Sequence, residues 1–181
     1  MAPQTETKDL TELLEGWPRI PRQSAQTVTR KYGPPDEATD SFLLWHRNGP
    51  WKRTVLWRDQ AEHRFPQPHQ DVLEQVIDYF VPAEFACAVL EFDGSVVIER
   101  TRGEISARCE GEEANFLALN LAHRIVQGEH DADSARDAYT RAMRAFNAGE
   151  KPEMTQRLTF EVSGGGTADP DQPTLGEDER G

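Results

Sequence analysis

The chain has 181 residues, with 36% hydrophobic and 29% charged, and 32 acidic against 20 basic side chains give a formal charge of −12. That length suits one domain with tails and a real core, and the acidic balance argues against a broad nucleic-acid-binding surface. Two cysteines, Cys87 and Cys109, are too few for a disulfide framework or a zinc knuckle.

Taken in chain order, Asp9 to Glu15 places Leu10, Leu13 and Leu14 on one side of a short helix ended by Gly16 and Pro18. Trp17-Pro-Arg-Ile-Pro-Arg reads as a stiff extended connector. Ser24 then N-caps a helix through Tyr32, stopped by Gly33, Pro34 and Pro35. Residues 1–23 are expected to form an arm, 24–162 one domain, and 163–181 a tail. The N-terminal MAPQTETKDLTELLEG lacks the apolar core of a signal peptide, and no run approaches 18 apolar residues. A cytoplasmic protein without a membrane segment is expected.

Phe42 to Arg47 and Trp51 to Arg58 are strand-like runs around the turn signal Asn48-Gly49-Pro50. Trp45, Trp51 and Trp57 concentrate aromatic surface on this hairpin, which serves either core packing or a binding surface.

Residues 59–71, DQAEHRFPQPHQD, show no secondary-structure period and read as a long connection. Connections of that length are uncommon inside compact domains and are often functional. This one gathers Asp59, Glu62, His63, Arg64, His69 and Asp71. His63, His69 and Asp71 supply two imidazoles and a carboxylate, a set able to hold a divalent metal or to act in acid–base chemistry. The spacing H-x5-H-x-D matches no standard ligand motif.

Leu73 to Val81 alternates as a strand, with a helix as the rival reading, and Pro82 opens a helix that runs to Phe92 and ends at Asp93-Gly94. The stretch Val96 to Gln127 organises the fold. Val96 to Thr101 and Glu104 to Cys109 pair across a two-residue turn at Arg102-Gly103, which sets Thr101 opposite Glu104 and Val97 opposite Arg108. The apolar face carries Val96, Ile98, Arg100, Ile105, Ala107 and Cys109. Glu112 to Gln127 follows as a helix with Leu117, Leu121, Ile125 and their neighbours on a broad apolar arc. Its polar face holds Glu113, Asn120, His123, Arg124 and Gln127, and Asn115 is a polar residue inside the apolar arc. Cys87 and Cys109 both lie in apolar contexts, which predicts buried thiols.

Asp133 is the expected N-cap of a helix marked by Ala135, Ala138, Tyr139, Ala142 and Phe146. Leu158, Phe160 and Val162 suggest an edge strand, and the acidic, Gly/Pro-rich sequence from Ser163 suggests a disordered tail. Together these elements predict an α+β fold, a mostly antiparallel sheet of about five strands with helices packed on one face.

Dinucleotide, P-loop, C-x-x-C, H-E-x-x-H and G-x-S-x-G patterns are all missing from the sequence. The runs KYGPPDEATDSFLLWHRNGPWKRTVLWRD and FDGSVVIERTRGEISARCEGEEANFLALNLAHRIVQGE resemble a family of small uncharacterised bacterial proteins with no assigned activity, over roughly residues 30 to 148. The first run also resembles the Gly-Pro-then-hairpin pattern of small outer-membrane assembly lipoproteins, whose lipidated N-terminal cysteine this chain lacks. The first resemblance implies one domain in a cytosolic setting and no particular chemistry.

The sequence therefore suggests a non-catalytic binding or interaction module for a protein partner or small ligand, with Trp45, Trp51 and Trp57 as its surface. The alternative is a metal-assisted hydrolase or acid–base enzyme using His63, His69 and Asp71, with His123 as a further group and a divalent metal as cofactor. Nothing in the sequence sets the oligomeric state.

Overall fold

A computed structural model describes residues 10–175. The expected helix start at Asp9 and the last six residues of the tail lie outside them. The chain runs α1 (Leu10–Glu15), α2 (Arg19–Tyr32), β1 (Glu37–Ala38), β2 (Phe42–His46), β3 (Arg53–His63), β4 (His69–Asp78), α3 (Ala83–Phe92), β5 (Val96–Glu99), β6 (Glu104–Cys109), α4 (Glu112–Val126) and α5 (Ala132–Asn147), followed by a 3-10 turn at Glu153–Thr155. The fold is α+β. Its sheet is antiparallel throughout, in the order β1-β2-β3-β4-β6-β5. None of the described helices is long and apolar enough to cross a membrane.

Register defines the two faces of the sheet. Leu43, Leu56, Leu73 and Cys109 are successive partners across β2, β3, β4 and β6, so they point the same way. Trp45, Thr54, Gln75, Ala107 and Val96 form the next row on that face, and Ile77, Ile105 and Ile98 the one after. Both α2 and α4 pack on it, α2 over Leu43, Leu56 and Leu73 and α4 over Ile77, Ile105 and Ala107. The other face carries an ion-pair lattice in which Arg53 and Lys52 hold Glu104, while Arg108 holds Glu74.

A buried polar seam joins the two apolar clusters. Gln75 Nε2 donates to Thr54 Oγ1 and to Glu112 Oε1, and its own Oε1 accepts from Asn115 Nδ2. Asn115 also donates to the Leu73 carbonyl at 3.0 Å. This polar residue in the apolar arc is thus the link between α4 and β4, as buried polar groups require partners.

Several expectations are corrected. Residues 17–22 are no extended connector: α2 starts at Arg19, and Pro21 sits in its first turn, where a missing N–H leaves no intrahelical bond unmade. Ser24 is accordingly inside the helix and not its cap, and its hydroxyl donates to the Glu110 carbonyl at 2.9 Å. The hairpin of β5 and β6 pairs Glu99 with Glu104 and Val97 with Ser106, a shift of two residues. Its apolar face is unchanged because the side-chain period is also two.

Asp131, not Asp133, caps α5, in a reciprocal capping box with Ser134. Cys109 is buried but Cys87 is exposed. The expected edge strand at Leu158–Val162 does not form. Asn120 takes that segment instead, donating to the Met154 and Arg157 carbonyls and accepting from the Thr159 N–H and hydroxyl. Asn120 is therefore fully buried rather than part of a polar helix face.

From Ser163 to Leu175 the chain has no helix or strand, yet part of it is docked. The Thr167 hydroxyl donates to the Gly103 carbonyl at 2.7 Å, and the Asp169 N–H donates to the Arg100 carbonyl at 3.0 Å.

Candidate metal site

The expected connection over residues 59–71 is in fact the end of a hairpin. β3 continues to His63 and β4 begins at His69, with a register shift between Leu56 and Ala61. The pattern had no period because such a bulge interrupts alternation. Beyond it Ala61 pairs with Asp71, Glu62 with Gln70 and His63 with His69.

This register gathers the ligand-type residues. Asp71 and His69 lie two and four residues before Leu73, on the face that the helices cover, and His63 joins them as the direct partner of His69. The two imidazole centroids are 4.9 Å apart. One donor atom from each of His63, His69 and Asp71 can be chosen so that all lie within 4.8 Å of one another. The nonstandard sequence spacing is that of a five-residue hairpin loop, 64–68, between two paired histidines.

The loop is anchored from the helical side. Phe65 lies 5.0 Å from the Tyr139 ring and 6.3 Å from the Phe92 ring, between centroids. Arg136 covers Phe65 at 3.8 Å and donates to the Phe92 carbonyl at 2.7 Å. The turn after α3 supplies two more polar groups, Asp93 and Ser95.

His69 and Asp71 are each held through an outer atom, and His63 through the Ser95 hydroxyl on its Nδ1. His69 Nδ1 donates to the Gln67 carbonyl at 2.8 Å. The Ser95 hydroxyl donates to Asp71 Oδ2 in a short hydrogen bond. His63 Nε2 faces Asp93 Oδ1 at 3.6 Å, while its Nδ1 lies 3.5 Å from Asp71 Oδ2 and 3.1 Å from Ser95 Oγ. Such outer partners are what orient metal-binding imidazoles and carboxylates.

Two of the inner atoms, on His69 and Asp71, are unmatched, while His63 Nδ1 is paired with the Ser95 hydroxyl. With its Nδ1 proton on Gln67, His69 turns Nε2 toward Asp71 Oδ1 at 3.1 Å, an ion pair when the ring is protonated and a lone pair facing an acceptor when it is neutral. Neither atom completes a hydrogen bond, although both are buried, so the oxygen is not aligned with an Nε2–H bond. The site is nearly closed: side-chain exposure is 6% for Asp71 and 5% for Asp93, against 13% for His69 and 18% for His63.

Electrostatics follow this geometry. The Asp71 carboxylate, with the Cys109 thiol behind it, pushes the His69 pKa up to about 11. Burial raises the Asp93 carboxyl, opposed in part by the Ser95 N–H and His63. Two acceptors facing each other in a buried place require a positive charge between them, either a proton or a cation.

His123 does not belong to the cluster. It stacks on Phe160 at 4.2 Å and shares a 2.7 Å hydrogen bond with the Tyr79 hydroxyl, and burial lowers its pKa. Its expected place as a further group of the site is thereby corrected.

The tryptophan surface is also largely internal. Trp45 and Trp51 are 2% and 1% exposed, their indole N–H groups donating to the Gly33 carbonyl and to Glu112. Trp57 lies on the opposite face of the sheet against Phe42, with its N–H on Glu74.

Asp93 and Ser95 were not singled out in the sequence. The one local signal is an Asx turn, Asp93 Oδ1 accepting from the Ser95 N–H, and nothing in it points toward residue 71. No protein-family model, curated protein or solved structure matches the chain.

Proposed function

We propose that this is a divalent-metal-binding protein, in which His63, His69 and Asp71 hold one first-row transition ion at the end of the β3–β4 hairpin. One observation carries the reading: His69 Nε2 and Asp71 Oδ1 are buried and 3.1 Å apart, an ion-pair distance whose geometry completes no hydrogen bond. Two imidazoles and a carboxylate suit zinc, iron or manganese better than calcium or magnesium, which take mostly oxygen donors. The ligand set is the one the sequence offered for its alternative, a metal-assisted hydrolase or acid–base enzyme, and not the tryptophan surface of the interaction module.

The test is metal analysis of protein purified without a histidine tag, compared with a His63→Ala/His69→Ala variant. About one equivalent of a transition metal, lost in the variant, is the expected result. At free zinc 100-fold above Kd, linkage adds about 3 kcal/mol, which raises Tm by roughly 5–10 °C for a domain of this size. Metal-free protein whose Tm ignores added zinc, iron(II) and manganese(II) would leave a histidine–aspartate ion pair as the whole content of the cluster.

A further inference from the structure

Resting on that metal reading, we infer that the ion keeps an exchangeable coordination position on its solvent side, and that this position takes water or a small anion. Structural zinc sites are closed by four protein donors, whereas sites that bind and activate ligands have three. Among the described residues, three donor groups come within 4.8 Å of one another here.

Two further candidates, Asp93 and Cys109, flank these donors without joining the group. Asp93 Oδ1 accepts the Ser95 N–H at 2.8 Å and faces the outer nitrogen of His63, the place of an orienting carboxylate. Cys109 lies against His69 and Tyr139 on the core side, outside the three-donor group.

The imidazoles form the side of the cluster nearer solvent. His63 and His69 are 18% and 13% exposed, and the carboxylates behind them 6% and 5%. A single coordinated carboxylate leaves a divalent ion with net positive charge, so an incoming anion is attracted. A water bound there is acidified by the ion, toward a pKa of about 7, the requirement for a hydrolytic nucleophile.

Cobalt(II) loading with azide as the probe ligand tests this. The expected result has three parts: visible d–d bands of a four- or five-coordinate ion, no thiolate charge-transfer band, and a saturable shift of the bands on azide titration. Bands that azide does not move, or a thiolate band lost in Cys109→Ser, would describe a closed site and overturn this inference while the metal reading stands. An Asp93→Asn variant that gains an azide response absent from the parent would overturn it too, by placing Asp93 on the ion. If cobalt(II) gives no bound spectrum at all, the metal reading itself falls.

Discussion

The Trp51 indole N–H donates to Glu112 Oε1 at 2.6 Å, joining the end of the first hairpin to the first turn of the central helix. The same carboxylate accepts from the Tyr32 hydroxyl at 2.5 Å and from Gln75 Nε2 at 3.1 Å, and its other oxygen is bound by Lys31. One side chain at a helix N-terminus therefore ties together α2, the β2–β3 turn, β4 and α4. Burial raises the pKa of this carboxyl, but its hydrogen bonds more than reverse that and hold it below the usual value.

Replacing Glu112 by alanine should cost about 2–4 kcal/mol, because it leaves the buried Trp51 N–H without an acceptor and removes one of the two acceptors of Gln75 Nε2. Glu112→Gln keeps an acceptor and should cost less. Urea denaturation followed by tryptophan fluorescence checks both. A loss below about 1 kcal/mol for the alanine variant would show that the junction is held by its apolar contacts alone.

Acid stability should depend on Glu104. Burial pushes this carboxyl up, but hydrogen bonds from Arg53 and Lys52 more than compensate and bring it from the usual 4.5 down to about 2. A depressed folded-state pKa stabilises the protein above the unfolded value, and that stabilisation is lost as pH falls from about 4.5 to 2. The Tm-against-pH curve should drop through this window. Glu104→Gln should lower Tm at pH 7, by an amount equivalent to about 1–3 kcal/mol, and should flatten the drop. Parallel curves for the two proteins would contradict this assignment.

Gly103 should be intolerant of a side chain. Its φ is +65°, and a Cβ there would come within 2.1 Å of the Thr167 backbone. Gly103→Ala should displace the segment around Thr167, with a cost of about 1–3 kcal/mol from left-handed backbone strain and lost docking. Limited proteolysis should then cut between residues 164 and 175 faster than in the parent. Thr167→Ala, which removes only the hydroxyl bond to Gly103, should give a weaker form of the same effect.

The parts of this fold written in local periodicity were legible from the sequence. Leu117, Leu121 and Ile125 mark α4, and alternation places Ile105, Ala107 and Cys109 on the covered face even though the hairpin register is shifted. What local patterns could not carry was settled by distant partners. Leu158 to Val162 alternates like a strand, but Asn120, from a helix 34 to 39 residues away, takes the Thr159 N–H and the Met154 and Arg157 carbonyls leading into it.

The candidate site was half legible for the same reason. His63, His69 and Asp71 stood out by residue type, while their convergence depends on a bulge that hid the strand. Asp93 and Ser95 reach the cluster only through the packing of α3. His123 was drawn toward it by type alone, and the fold gives it to Tyr79 and Phe160 instead.

The central claim is tested most directly by titrating metal-free, imidazole-15N-labelled protein with zinc and following the histidine ring nitrogens by NMR. The expected result is saturation at one equivalent, with the largest shifts at Nε2 of His69 and Nδ1 of His63, unchanged rings at His46, His123 and His130, and no response in Asp71→Asn. Rings of His63 and His69 that keep their shifts in excess zinc would contradict the claim, and would leave a proton as the charge between His69 and Asp71.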